Sequence, residues 1–256
     1  ARNKYVVYIN NFDMSNLLKN GIYLMLNILA LVFTSCKKDD STPLAAPPKI
    51  NLKNYTYLAL GDSYMASNPS GFGTRSSFPF KLTDTLKKEG FKVEETVLAQ
   101  FGWTTSDLFS EMLKLFPVKK KFDLITLCIG VNNNYRKMDT AIYRQEFRNI
   151  LNLCLAQLAE QPKNIFILSI PDWGATEFAK NNDRTPEQIA TEINAFNAIN
   201  KEEAVKTKVN YVDITTISRE VRFDNSLSSS DKLHPSEKMH NKWVKIVSPA
   251  VLPVFE

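Results

Sequence analysis

Four short clusters in the chain carry the groups that acyl transfer needs: Gly61-Asp62-Ser63, Gly102, Gly130-Val131-Asn132-Asn133 and Asp231-Lys232-Leu233-His234-Pro235. A serine hydroxyl is a weak nucleophile until a base takes its proton, an acid orients that base, and hydrogen-bond donors meet the oxyanion that develops. Ser63 is the candidate nucleophile and His234 the candidate base. Asp231 precedes His234 by three residues, so on a tight loop its carboxylate can accept the imidazole Nδ1–H and leave Nε2 free for the serine proton. Pro235 biases His234 toward extended or turn backbone. Each cluster alone is a weak signal, because Gly, Asp and Ser are also ordinary turn formers. The only other histidine, His240, falls within an expected helix without a nearby acid, and is expected at the surface.

The elements that must position these clusters alternate along the chain. Tyr57 to Leu60 is an apolar strand running into Gly61. A helix is expected from Phe78 to Glu89, closed by Gly90, and a second strand from Phe91 to Ala99. Thr104 and Asp107 make a capping-box start for a helix that Pro117 ends. The continuous apolar run from Phe122 to Ile129 reads as a central strand covered on both faces. A long helix from Thr140 to Glu160 carries Phe147, Ile150, Leu151, Cys154 and Leu158 on one stripe. Strands are expected at 164–170 and 209–214, with a helix between them opened by Thr185-Pro186-Glu187-Gln188 and a last helix from Pro235 to Val247. Strands joined through helices imply a five-stranded parallel sheet with right-handed crossovers and helices on both faces, a three-layer α/β fold. All four clusters then sit just beyond strand carboxyl ends, on one edge of the sheet, where open α/β folds place their chemistry.

With those residues in that order, the sequence resembles the SGNH (GDSL) hydrolase family. Its four blocks match as Gly61-Asp62-Ser63, Gly102, Gly130-x-Asn132 and Asp231-x-x-His234-Pro235, over a domain taken as 54–256. The resemblance implies a flavodoxin-like fold and a serine esterase with Ser63, His234 and Asp231 as triad. It implies an oxyanion hole made by the backbone N–H of Ser63, the N–H of Gly102 and the side chain of Asn132. One position departs, since the third block usually reads Gly-x-Asn-Asp and here ends in Asn133, which is expected to hold the loop and to tolerate aspartate. Tyr135 and Arg136, beside Asn132, and Asp172 and Trp173, after the fourth strand, are candidates for substrate contacts. For the latter pair a turn aspartate and a packed tryptophan is the alternative.

Upstream of the domain, Met14, Lys19, an apolar run over 21–33 and Thr34-Ser35-Cys36 follow the order of an export signal. The run is too short for a spanning helix. Residues 14–35 resemble a bacterial lipoprotein signal peptide with Cys36 as the lipidated residue. Lys37-Lys38-Asp39-Asp40 resembles the export tag of surface lipoproteins of the Bacteroidetes, and residues 36–53 read as a flexible tether. Residues 1–13 read as an upstream extension of the frame. The expected location is the bacterial outer membrane, anchored through lipidated Cys36, on its periplasmic or outer face.

The remaining composition is that of one ordinary globular domain: 256 residues, 44% hydrophobic and 23% charged. A net charge of +5 without a long basic run gives no reason to expect a nucleic-acid partner. There is no phosphate-binding glycine loop and no Cys or His pair at metal-ligand spacing, so no cofactor or metal is expected. Cys128 and Cys154 lie on apolar faces, where free thiols are favoured over a bridge. Two function classes follow. One is an exported serine esterase acting on a lipid acyl ester or an acetylated carbohydrate through an acyl-enzyme. The other is a non-catalytic surface lipoprotein that uses the same fold to bind glycan or lipid.

Overall fold

The computed structural model describes residues 53–66, 75–115, 121–157 and 161–255. The expected leader, Cys36, the tether up to residue 52, Gly71, Gly73 and Pro117 lie outside the described residues. Five strands, β1 (Asn54–Gly61), β2 (Lys92–Ala99), β3 (Leu124–Cys128), β4 (Ile165–Leu168) and β5 (Asn210–Val212), pair in parallel in the order β2-β1-β3-β4-β5. That is the flavodoxin-like order, and its switch point lies between β1 and β3. β3 and β4 are buried along their whole length, as their mainly apolar sequence requires, and the one polar residue, Thr126, pairs its hydroxyl with that of Tyr57 at 2.7 Å.

The helices are α1 (Phe78–Lys88), α2 (Thr105–Leu115), α3 (Val131–Tyr135), α4 (Thr140–Gln157), α5 (Pro186–Thr207), α6 (Thr215–Ser218) and α7 (Glu237–Val251). The chain steps outward from β1 to β2 and then runs the other way across the sheet. Right-handed crossovers therefore put α1 on the face opposite α2, α4 and α5. The packing agrees, with α1 against α7 and α4 against both α2 and α5.

The expected helix starts appear as capped ends. Thr104 Oγ1 and its backbone N–H both donate to Asp107 Oδ2, at 2.8 and 2.9 Å. Thr185 and Gln188 form a complete capping box at the start of α5. The two cysteines are buried and unbridged.

Two features differ from the sequence expectation. The five-residue helix α3 replaces a plain loop after β3. His240 is buried, at 7% exposure, and its ring meets Trp243 edge-on at 5.0 Å. It sits one turn from Trp243 on the face of α7 that also buries Met239, Val244, Val247 and Val251. Burial drops its basicity to about 3, helped by the nearby Lys81 and His234, so the ring stays neutral. Among the described residues no helix is long and apolar enough to cross a membrane.

Candidate active site

The site begins where β1 ends. A Cβ on Gly61 would lie 2.3 Å from the Cys128 carbonyl oxygen and 2.6 Å from Met65 Cγ, so only glycine lets the end of β1 close on the end of β3. The next residue, Asp62, is 1% exposed. Its Oδ1 accepts the Tyr64 N–H at 3.0 Å, and its carbonyl accepts the N–H groups of Met65 and Ala66. The chain thus coils through a single turn with Ser63 at its head, half-exposed. Burial pushes the Asp62 carboxyl up to about 7, against the pull of the backbone N–H groups of Tyr64, Gly130 and Val131.

The loop before α2 supplies Gly102, whose φ of +79° is a left-handed conformation suited to glycine. Neither the Ser63 N–H nor the Gly102 N–H donates to a group among the described residues. Helix α3 grips this loop from the other side of the switch point. Asn132 Nδ2 donates to the Trp103 carbonyl at 2.9 Å and Arg136 Nη2 to the Gly102 carbonyl at 2.8 Å. Residues four apart share a helix face, so one turn of chain holds two consecutive carbonyls. Asn132 keeps a second amide N–H beyond that bond.

The two following asparagines are buried and face elsewhere. Asn133 Oδ1 accepts the Thr105 N–H at 3.1 Å, its Nδ2 donates to the Thr105 hydroxyl at 2.6 Å, and that hydroxyl donates to Glu146 Oε2. Asn134 Oδ1 accepts the Trp173 indole N–H at 2.8 Å, and its Nδ2 donates to Glu192 at 3.1 Å. Arg184, buried, donates to the carbonyls of Asn134 and Tyr135 at 3.0 and 3.1 Å and so ties down the end of α3.

The base side is a tight turn, with Lys232 at φ +61°. Asp231 Oδ1 accepts the Ser229 hydroxyl at 2.7 Å and the N–H groups of Leu233 and His234 at 3.0 and 2.9 Å. Its Oδ2 lies 2.6 Å from His234 Nδ1. Partial burial works against the carboxylate, but these four donors outweigh it and hold Asp231 far below the usual range. With Nδ1 committed to Asp231, the free ring nitrogen of His234 is Nε2. The imidazole packs between two aromatic rings, with centroids 5.9 Å from Tyr64 and 5.0 Å from Phe101. Those rings adjoin Ser63 and Gly102 in the chain, so the three clusters meet at the imidazole. Ser63 itself makes no hydrogen bond to His234 here. The cavity beside His234, lined by Tyr64, Leu233, Met239 and Trp243, is about 20 Å³ and has room for one water.

The other candidates divide. Tyr135 and Arg136 are exposed beside Asn132. Asp172 and Trp173 are buried, at 1% exposure each. Asp172 Oδ2 binds Arg219 at 2.8 Å and its Oδ1 accepts the Gly174 N–H, so it braces a loop and offers no surface to a substrate. Trp173 lies beneath Tyr135, ring to ring at 5.3 Å. Phe101, Asn134, Glu146, Phe178 and Arg184 were not singled out from the sequence. The run of three asparagines was the one visible hint, but partners as distant in the chain as Arg184 and Glu192 left no local pattern.

A serine, an imidazole held by a carboxylate and N–H donors without an acceptor among the described residues lie at the switch point of a parallel sheet in a three-layer α/β fold. The chain belongs to the GDSL-like lipase/acylhydrolase family, whose model matches residues 59–242. It is a carboxylic ester hydrolase. Among solved structures it is similar to TesA, with 20% identity and a TM-score of 0.62 over 78% of this chain and 99% of that one. It is also similar to the lipase/acylhydrolase from Enterococcus faecalis, with 14% identity and a TM-score of 0.60 over 77% and 95% of the two chains. A third is Axe2, an acetylxylan esterase from Geobacillus stearothermophilus, with 18% identity and a TM-score of 0.58 over 78% and 94%. At these identities the likeness is one of fold. No curated protein matches the sequence.

Proposed function

We propose that the chain hydrolyses its ester through a Ser63-His234-Asp231 triad and an acyl-enzyme. His234 Nε2 takes the proton of Ser63 Oγ as that oxygen attacks the ester carbonyl. Asp231 holds the Nδ1–H and stabilises the imidazolium that forms. The tetrahedral oxyanion accepts hydrogen bonds from the N–H groups of Ser63 and Gly102 and from the spare N–H of Asn132. Collapse of the intermediate breaks the C–O bond, and the imidazolium proton leaves on the alcohol. Water, deprotonated by the same imidazole, then attacks the acyl-Ser63 ester and releases the acid.

The observation that carries this reading is the Asp231 to His234 contact of 2.6 Å, with the imidazole seated against the neighbours of Ser63 and Gly102. A binding module would have no use for such a pair beside unspent N–H donors. The substrate class is an ester of a lipid or of a carbohydrate, with Tyr135 and Arg136 placed to touch its alcohol portion. We further propose that the enzyme is exported and lipid-anchored through Cys36. The test of the mechanism is rapid-mixing hydrolysis of p-nitrophenyl acetate, in which an acyl-enzyme releases a burst of p-nitrophenol that His234→Ala abolishes. Unchanged kinetics in that variant would remove His234 from the mechanism.

A further inference from the structure

Resting on the esterase reading, we propose that Tyr135 and Phe178 form a stacking platform for a sugar ring, which makes the substrate an O-acylated carbohydrate. Tyr135 is 45% exposed and Phe178 39%, and their ring centroids are 6.3 Å apart. Both rest on the buried Trp173, at 5.3 and 6.4 Å. The platform bridges the two halves of the site. Tyr135 lies three residues after Asn132 on α3, and Phe178 donates its backbone N–H to the carbonyl of Lys232, next to Asp231, at 3.2 Å.

Its supports are rigid. The Trp173 indole N–H is bound by Asn134, and the Arg184 guanidinium covers the Trp173 ring at 5.0 Å while binding the Tyr135 carbonyl. Two aromatic side chains are therefore held part-exposed at a fixed place beside the reacting groups, where a ligand can cover them.

The surroundings choose between ligands. Glu177, paired with Lys180 and Lys232, adjoins Phe178, and the Lys137–Asp183 pair flanks the other side. An acyl chain needs a continuous apolar channel, and these charges break the apolar surface around Tyr135 and Phe178. A pyranose ring has the complementary pattern, with C–H groups on its face that stack on the negative face of an aromatic ring and hydroxyls at its rim for the charged groups.

The test compares release of acetate from O-acetylated xylan, mannan and pectin fragments with hydrolysis of p-nitrophenyl acetate and p-nitrophenyl palmitate. At least one fragment should have a higher kcat/KM than p-nitrophenyl acetate. The ratio of the two should fall by about tenfold in Tyr135→Ala and in Phe178→Ala, the scale expected of one aromatic contact. Tyr135→Phe, which keeps the ring face, should hold the ratio. Hydrolysis of p-nitrophenyl acetate with no fragment accepted, a ratio unmoved by both alanine variants, or a preference rising toward the palmitate would each overturn the platform while leaving the esterase standing. Failure of the wild type on p-nitrophenyl acetate as well would overturn the esterase reading and the platform with it.

Discussion

Asn133 caps α2 through Thr105: its Oδ1 takes the Thr105 N–H at 3.1 Å while its Nδ2 gives a proton to the Thr105 hydroxyl at 2.6 Å. The direction of that second bond is set by Glu146, which already accepts the hydroxyl proton. An aspartate at 133, the residue usual in this block, would put two carboxylates on one hydroxyl that has a single proton to give.

Asn133→Asp should therefore destabilise the fold by about 1–3 kcal/mol, the cost of a buried acceptor left without its donor. That differs from the tolerance expected from the family pattern alone. Glu146→Gln in the same chain should recover most of the loss. Urea denaturation of the two variants checks this, and equal stability of wild type and Asn133→Asp would contradict it.

Asn132 braces the Trp103 carbonyl with one amide N–H, and its second N–H should act on the reaction. Asn132→Ala should lower kcat by about 10²–10³-fold with KM nearly constant, because a donor to the oxyanion is worth most in the transition state. Steady-state kinetics on an ester with a chromogenic leaving group decides it. A wild-type kcat would take this side chain out of the oxyanion hole.

The order of strands and helices was legible because buried parallel strands read as mainly apolar runs and because Thr104 and Thr185 announce helix starts in their own sequence. Helix α3 was not legible. Val-Asn-Asn-Asn-Tyr has neither apolar periodicity nor helix propensity, and it is helical because Thr105, Glu192 and Arg184, all distant in the chain, bind its asparagines and its last carbonyls. The same reason hid the fates of Asp172 and His240. Whether an acid after a strand meets a substrate or an arginine, here Arg219, is decided by folding and leaves no trace in the neighbouring residues.

Two buried groups should oppose each other in the pH dependence of stability. Asp62, raised to about 7 when folded, holds its proton more tightly in the native state, so its contribution falls as pH rises from about 4 to about 7. His240, lowered to about 3 by burial, binds its proton more tightly when unfolded, so its contribution rises with pH from about 3 to about 6.5. Asp62→Asn should leave a stability that climbs between pH 4 and 6.5, and His240→Gln one that declines, each by about 1 kcal/mol per pH unit relative to wild type. Urea midpoints at several pH values measure both slopes, and variant curves parallel to wild type would contradict the assignment.

Cys36 should carry lipid at the amino terminus of the mature protein. A single acyl chain anchors only marginally, so more than one is expected. Mass spectrometry of protein extracted from native membranes reads this directly, and an unmodified Cys36 or an intact leader would contradict it.

Ser63 should be the nucleophile. A fluorophosphonate probe, which captures a serine activated by its base, tests it most directly when the labelled peptide is mapped by tandem mass spectrometry. The label should fall on Ser63, disappear in Ser63→Ala, and weaken strongly in His234→Ala, with kcat of Ser63→Ala down by about 10⁴-fold or more. Labelling of Ser63→Ala equal to wild type would place the nucleophile elsewhere, and wild-type protein that is folded but never labelled would contradict covalent catalysis altogether.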